Sequence, residues 1–153
     1  MKKHLVAFAS AFSVALAAAP AEAVEPNDDV DVTAGAVTAL SCARQALVTG
    51  DLSLLGSACP LSEVASGLVI VDVAERQIYV PLDVKPKKGK APGKDDAAAK
   101  QIARHQLESA FGGGSIDVTG TVVSVDKEGI ATVRVGDFTV NKKKKPGSFK
   151  GCL

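Results

Sequence analysis

Aromatic side chains are scarce in this chain of 153 residues, which has no tryptophan, one tyrosine and five phenylalanines. Proteins that bind single strands of nucleic acid stack the bases on aromatic rings. Phe138 is the only ring between Ser115 and Asn141, the stretch with the clearest β-strand pattern. The sequence therefore disfavours nucleic acid as a partner.

Histidine and the motifs of common enzymes are nearly absent as well. The two histidines are His4 and His105, and a lone histidine completes neither a zinc site nor a nucleophile–base pair. Serine-nucleophile, P-loop and dinucleotide motifs are missing. The run Gly112–Gly114 follows a predicted helix and precedes a predicted strand, which is the reverse of a phosphate cradle. We therefore expect His105 at the surface, and no catalytic residue, metal or cofactor.

Two pairs of acidic residues flank predicted turns. Asp72 lies near Glu75, and Asp126 near Glu128. Paired carboxylates perform acid–base catalysis when a fold brings them together. Nothing in the spacing of these four indicates that arrangement, and we interpret them as solvated turn residues.

Residues 1–23 have the pattern of a cleaved signal peptide. Lys2 and Lys3 precede an apolar run, and Ala21-Glu22-Ala23 carries small residues where signal peptidase cuts. The run is shorter than the ~20 residues of a membrane span, which disfavours the alternative of a retained anchor. We expect cleavage after Ala23 and a periplasmic or secreted protein. Loss of this leader leaves sixteen basic and sixteen acidic residues.

Three cysteines follow the predicted leader: Cys42, Cys59 and Cys152. In an oxidising compartment Cys42 and Cys59 are the expected disulfide, which contributes ~3 kcal/mol for a loop of this size in the chain-entropy model. Cys152 would then be a free or intermolecular thiol. In the alternative it pairs with Cys42 or Cys59. No Cys-x-x-Cys motif supports thioredoxin-like catalysis.

Hydrophobic periodicity predicts a single α+β domain over residues 33–141. A flexible lead-in at 24–32 precedes it, and a basic tail at 142–153 follows it. The predicted order is an N-terminal helical part and then ββ-α-βββ, in an antiparallel sheet or partial barrel. The first elements are a helix from Thr33 to about Val48, which ends at Gly50, and a helical turn from Pro60. A hairpin of 68–73 with 77–84 follows, and Pro81 indicates that its second strand is an edge strand. A second helix runs from Asp95 or Asp96 to about Ala110.

Residues 115–141 have the pattern of three antiparallel strands, with tight turns at 126–129 and 136–137. The apolar phase shifts at Gly120, which indicates a bulge or bend. The run Val118–Val122, Val-Thr-Gly-Thr-Val, resembles that of small exported bacterial OB-fold proteins. This resemblance covers about a quarter of the chain. It implies a partial OB-like barrel and carries over no binding residues.

Clustered lysines are the strongest functional signal in the sequence. Their charge would attract an anionic envelope component, such as lipid phosphate, or an acidic protein partner. The alternative is that these lysines only keep loops solvated and strand edges unpaired. One cluster comprises Lys85, Lys87, Lys88, Lys90 and Lys94, and the other Lys142, Lys143, Lys144, Lys145 and Lys150.

The sequence thus predicts a non-catalytic exported binding or interaction protein that acts through its lysine-rich loop and tail. Two alternatives stay open. One is a small periplasmic enzyme or thiol-dependent factor that uses Cys152, and the other is a structural envelope protein without a ligand. After the leader, no segment has the length and hydrophobicity of a transmembrane helix.

Overall fold

Five strands close into a barrel: β1 (Asp29–Ala39), β2 (Leu68–Asp72), β3 (Gln77–Pro81), β4 (Ser115–Val125) and β5 (Ala131–Asn141). The computed structural model describes residues 23–83 and 100–142. Neighbouring strands are antiparallel except β3 and β5, which run parallel. The barrel is therefore mixed, whereas the sequence predicted a purely antiparallel sheet or barrel. The order of the strands around the barrel is β1-β2-β3-β5-β4.

Short helices connect these strands, which confirms the α+β class in its coarse form. They are α1 (Leu40–Thr49), two 3₁₀ helices (Leu52–Leu55 and Leu61–Ser66) and α2 (Arg104–Ala110). Gly50 ends α1 as predicted, because its φ of 76° is one that glycine adopts without strain and its N–H donates to the Ala46 carbonyl at 2.8 Å.

The second predicted helix is wrong at its start. Residues 100–103 are not helical, and α2 begins at Arg104, where the Gln106 side chain accepts a hydrogen bond from the Ala103 N–H at 2.8 Å. The proposed cap at Asp95 or Asp96 lies outside the described residues.

The largest error of the sequence prediction concerns residues 29–39. They form β1, whereas the sequence suggested a flexible lead-in to residue 32 and then a helix from Thr33. Val30 and Val32 are buried while Asp29 and Asp31 are exposed, the alternation of a strand with one face in the core. Alanines 34, 36 and 39 gave this segment a helical propensity, and pairing with β4 and β2 overrides it.

The stretch 115–141 holds two long strands rather than three. Its first turn is confirmed, since the Gly129 N–H donates to the Asp126 carbonyl at 3.1 Å. The second turn signal is wrong, because β5 continues through Gly136 as the extra residue of a bulge. That bulge lies opposite the step from Thr119 to Gly120, where the sequence predicted an irregularity.

Pro81 does not mark an edge strand. β3 lies between β2 and β5, and Pro81 is its last residue, opposite Val133 of β5. Proline has no N–H to donate to a ladder, and at the last position of β3 it breaks no pairing inside the strand.

The barrel interior is filled by aliphatic side chains. Ile116, Val122 and Val133 are each almost fully buried within it. A second apolar cluster packs α1 against the outer face of β2 and β3, through Ala43 and Ala46. The β2–β3 turn lies beside the start of β1, and a groove opens between them.

Candidate functional site: an acidic groove at one end of the barrel

The first half of β1 has one edge that no described strand covers. Asp29–Ala36 pairs with β4, but only Ala36–Ala39 pairs with β2. An open groove of about 670 Å³ lies between the start of β1 and the β2–β3 turn. The edge exposes backbone hydrogen-bonding groups to whatever occupies the groove.

Among the residues that the structure describes, six carboxylates and no basic side chain line this groove. Within the described residues, none of the six forms an ion pair. Unpaired charges of one sign in a concave surface reinforce one another and raise the local concentration of the opposite charge. The six are Glu25, Asp28, Asp29, Asp31, Asp72 and Glu75.

Backbone contacts hold part of this set in place. Asp72 accepts hydrogen bonds from the N–H groups of Ala74 and Glu75, at 2.9 and 3.2 Å, and so shapes the β2–β3 turn. Asp28 accepts from the Glu25 N–H at 2.7 Å. These contacts leave the Glu25 and Glu75 side chains exposed at the groove. The site therefore combines fixed carboxylates with free ones.

Tyr79, the chain's only tyrosine, also lines the groove. Only 7% of its surface is exposed, because its ring belongs to the barrel core. Its hydroxyl has no hydrogen-bond partner among the described residues. Burial raises the pKa of the Tyr79 phenol, and the nearby charges of Asp72, Glu75 and Asp28 raise that pKa further. A neutral phenol with free hydrogen-bonding capacity thus meets the acidic groove.

Two arginines on neighbouring elements have their partners outside the groove. Arg76, in the β2–β3 turn itself, donates to the Leu47 carbonyl at 2.6 Å, in the last turn of α1. A cation at the carboxyl end of a helix is favoured by the helix dipole. Arg44 forms an ion pair with Glu128. The fold therefore places these positive charges outside the groove.

The carboxylates are not arranged for a metal ion. Among residues 23–83 and 100–142, no group of three or more acidic, histidine or cysteine side chains could hold one. Of the predicted turn acids, Asp72 and Glu75 lie in the groove. Asp126 lies outside it and accepts from the N–H groups of Glu128 and Ile130 at 2.8 and 2.9 Å. The two predicted pairs do not share the groove.

The sulfur atoms of Cys42 and Cys59 are 2.07 Å apart, a disulfide distance that agrees with the predicted pairing. Both residues are buried, next to Ala39. The bond ties α1 to the segment between the two 3₁₀ helices. Cys152 lies outside the described residues.

Most of the predicted lysine surface lies outside the described residues as well. Lys142 is described, and it is exposed directly after β5. The other nine lysines of the two clusters lie in 84–99 and 143–153. His105 is exposed on α2, as expected.

The sequence interpretation missed the groove because its residues come from two segments. Four of the acids lie between Glu25 and Asp31, in the predicted lead-in, while Asp72 and Glu75 belong to a distant hairpin. One signal was present. Alternating acidic and apolar residues in Asp29–Val32 are typical of a strand with a charged outer face.

Comparisons of the chain with protein-family models, with curated proteins and with solved structures gave no match. Within the described residues, no helix has the length and hydrophobicity needed to cross a membrane.

Proposed function

We propose that this protein is an exported, non-catalytic binding module, and that its acidic groove binds chains of alkylammonium groups. The observation that carries the proposal is that six carboxylates and the hydroxyl of Tyr79 converge on one groove, and that none of the six forms an ion pair, and the hydroxyl no hydrogen bond, within residues 23–83 and 100–142. Ammonium groups donate hydrogen bonds to carboxylates and to a phenol oxygen. A lysine-rich segment of a protein or a polyamine has this chemistry.

The scaffold supports binding rather than catalysis. Strand order β1-β2-β3-β5-β4 with a helix between β3 and β4 is the arrangement that we assign to an OB-type barrel. Such barrels bind ligands with their second and third strands, and those strands here contribute Asp72 and Tyr79. The charge of the groove repels phosphate, which argues against nucleic acid as its ligand.

Removal of the leader on export would add one positive charge to the groove. If the leader is removed after Ala23, the new α-ammonium group belongs to Val24, which lines the groove and packs against the core. Counting the described residues alone, that single charge would leave five of the six carboxylates without an ion pair. The processed protein would therefore still attract a ligand with several positive charges.

Calorimetric titration with spermidine and with tetralysine tests this function. We expect both cations to bind with affinity that falls as salt is raised, since exposed charges are screened beyond ~10 Å at 0.1 M salt. Neutralising two groove carboxylates with Glu25→Gln and Glu75→Gln should weaken tetralysine binding about 5- to 10-fold, at up to ~1 kcal/mol per exposed charge pair.

The matched control is the pair Glu108→Gln and Glu128→Gln, which removes the same charge from acids that form surface ion pairs away from the groove. This control should bind like the unaltered protein. Equal weakening in both double variants would show a response to net charge alone and would contradict a groove site.

A further inference from the structure

We infer that the ligand of the groove is an extended segment of another protein, which adds as a strand to the uncovered edge of β1 and carries basic side chains two residues apart. This inference rests on the proposed function, because it takes the groove as a site for ammonium groups. It narrows that function, since a polyamine has the charge of such a segment but lacks its peptide groups.

The direction of the backbone groups in β1 determines what this edge offers to a ligand. The Val122 N–H of β4 donates to the Asp28 carbonyl at 2.9 Å. Successive peptide groups of a strand point to opposite sides, so Val30 faces β4 in turn, and the N–H and C=O groups of Asp29 and Asp31 point away from β4. Within the described residues, none of these four groups has a hydrogen-bond partner. The edge therefore presents two donors and two acceptors.

The two donors favour a peptide over a polyamine. An ammonium group carries three N–H donors and no acceptor, so it bonds to carboxylates, carbonyls and a phenol oxygen but not to an N–H. The carbonyl groups of an extended peptide do accept from the N–H groups of a sheet edge, as in strand addition. A basic peptide can therefore satisfy both the side chains and the backbone of Asp29 and Asp31, whereas a polyamine leaves the two N–H groups without an acceptor.

The spacing of these two acids sets the spacing of the basic residues in the ligand. Asp29 and Asp31 are exposed on the same face of β1, about 7 Å apart at the usual rise of a strand. A paired strand has the same repeat, so two of its side chains, two residues apart, lie opposite these carboxylates. Opposite charges in such cross-strand positions stabilise the pairing. The bound segment should therefore have a basic residue at every second position.

Tyr79 indicates a ligand at this place independently of the acids. Only 7% of its surface is exposed, and its hydroxyl, which has no hydrogen-bond partner among the described residues, meets the groove. Its ring lies in the core cluster with Val30, whose side chain is on the other face of β1 from Asp29 and Asp31. The residues between the basic ones in a bound strand face that way. A hydroxyl there, such as that of threonine, could bond to the phenol.

Two capped pentapeptides test the spacing. Thr-Lys-Thr-Lys-Thr can place both lysines opposite Asp29 and Asp31, whereas its isomer Thr-Lys-Lys-Thr-Thr has the same charge and cannot place both on one face of a strand. In NMR titrations at low salt, the alternating peptide should bind the unaltered protein about 2- to 5-fold more tightly than the isomer. Equal affinities would overturn the inference.

Methylation of the peptide backbone gives the decisive result. In a paired strand the N–H groups of alternate residues face the partner, whichever way the strand runs. One variant of the alternating peptide is N-methylated at both lysines, and the other at the second and third threonines. One variant should bind at least about tenfold more weakly than the parent peptide, because its methyl groups meet the edge, and the other should lose less than about threefold. Equal losses would overturn strand addition.

Amide hydrogen exchange detects the same bonds on the protein. Saturation with the alternating peptide should slow exchange of the Asp29 and Asp31 amides at least about tenfold, because they gain acceptors. Saturation with spermidine should not slow it, since ammonium groups offer no acceptor. The Val30 amide faces β4 and should change little with either ligand. Equal slowing by spermidine would contradict a bond to the peptide carbonyls.

The remaining outcomes separate this inference from the proposed function. Binding of spermidine and the peptides without protection of any β1 amide would overturn strand addition and leave the ammonium site standing. Absence of binding by all of them at low salt would overturn both.

The chain's own lysines are tested as a competing occupant. Asp31 lies across Thr119 of β4 from Asp137 of β5, and Lys142–Lys145 directly follow β5 in the sequence. A variant with these four lysines changed to glutamine should bind the alternating peptide like the unaltered protein. Much tighter binding by that variant would assign the edge to lysines of this chain and would overturn a segment of another protein as the ligand.

Discussion

The carboxylate of Asp117 accepts a hydrogen bond from the backbone N–H of Ala34, 83 residues earlier, at 2.7 Å. Ala34 has a φ of 56°, a left-handed conformation that costs a residue with a Cβ some energy. It lies in the irregular step between Val32 and Gly35, where the register of β1 against β4 shifts. Asp117 therefore stabilises the bend that turns the first half of β1, and its acids, away from β2.

This relationship predicts a pH dependence of stability. The Ala34 N–H, and then the Asn141 side chain, lower the pKa of Asp117 below its usual 3.8. Because the folded-state pKa is lowered, the stabilisation is present above pH 3.8 and is lost as pH falls through the folded pKa. In thermal unfolding at decreasing pH, the melting temperature of the unaltered protein should approach that of the Asp117→Asn variant as the pH falls through the folded-state pKa. An Asp117→Asn variant with unchanged stability at neutral pH would contradict the role of the bond.

Gly120 predicts a large effect from a single methyl group. A Cβ there would clash with the Arg134 carbonyl oxygen, whereas one at Gly136 on the partner strand would lie no closer than 3.5 Å to any other described residue that it faces. Gly120→Ala should cost about 2 kcal/mol or more of unfolding free energy, since the clash is with backbone. Gly136→Ala is the control and should change it by less than about 1 kcal/mol. Urea unfolding measures both, and equal costs would contradict the predicted clash.

Removing the disulfide should lower stability without changing the fold. Cys42→Ala with Cys59→Ala should cost ~3 kcal/mol, because the bond closes a loop of modest length. Denaturant unfolding measures this loss. Alkylation before reduction should label one thiol in the unaltered protein, and none in Cys152→Ala. Two or more labelled thiols in the folded protein would contradict the Cys42–Cys59 pairing.

Tyr79 offers a spectroscopic test of the groove's charge, because no other tyrosine or tryptophan contributes. The phenolate absorbance should titrate above pH 10.0, since burial and the groove acids raise the pKa of the phenol. Glu75→Gln removes one of the charges that raise this pKa, so its titration midpoint should be lower, whereas Glu108→Gln should leave the midpoint unchanged. If Glu75→Gln left it unchanged, that carboxylate would not act on the phenol.

The same group predicts alkaline instability. Because the folded-state pKa of the Tyr79 phenol is raised, its contribution to stability is fully present below pH 10.0. This contribution is lost as the pH rises through the folded-state pKa. The Tyr79→Phe variant has no phenol to ionise, so it should not show this loss of stability at alkaline pH. Because the hydroxyl has no partner among the described residues, this variant should fold with nearly unchanged stability at neutral pH. Thermal unfolding at neutral and alkaline pH measures both effects.

Local patterns predicted the elements whose pairing is local. The hairpin of β2 and β3, the stop of α1 at Gly50 and the turn that ends in Gly129 all follow from neighbouring residues. β1 could not be found in this way, since its partners, β2 and β4, are distant in sequence and small residues such as Ala34 and Ala36 suit a helix. The groove shares that limit, because closure of the barrel brings Asp31 near Asp72.

Solution NMR with tetralysine tests the central claim most directly, since backbone amides locate a ligand without changing a residue. The acidic groove predicts saturable shifts confined to residues 24–31 and 72–79, with those shifts weakened by Glu25→Gln and Glu75→Gln and preserved in the control with Glu108→Gln and Glu128→Gln. Absence of shifts at low salt, or shifts centred on another face of the barrel, would contradict a cation-binding groove.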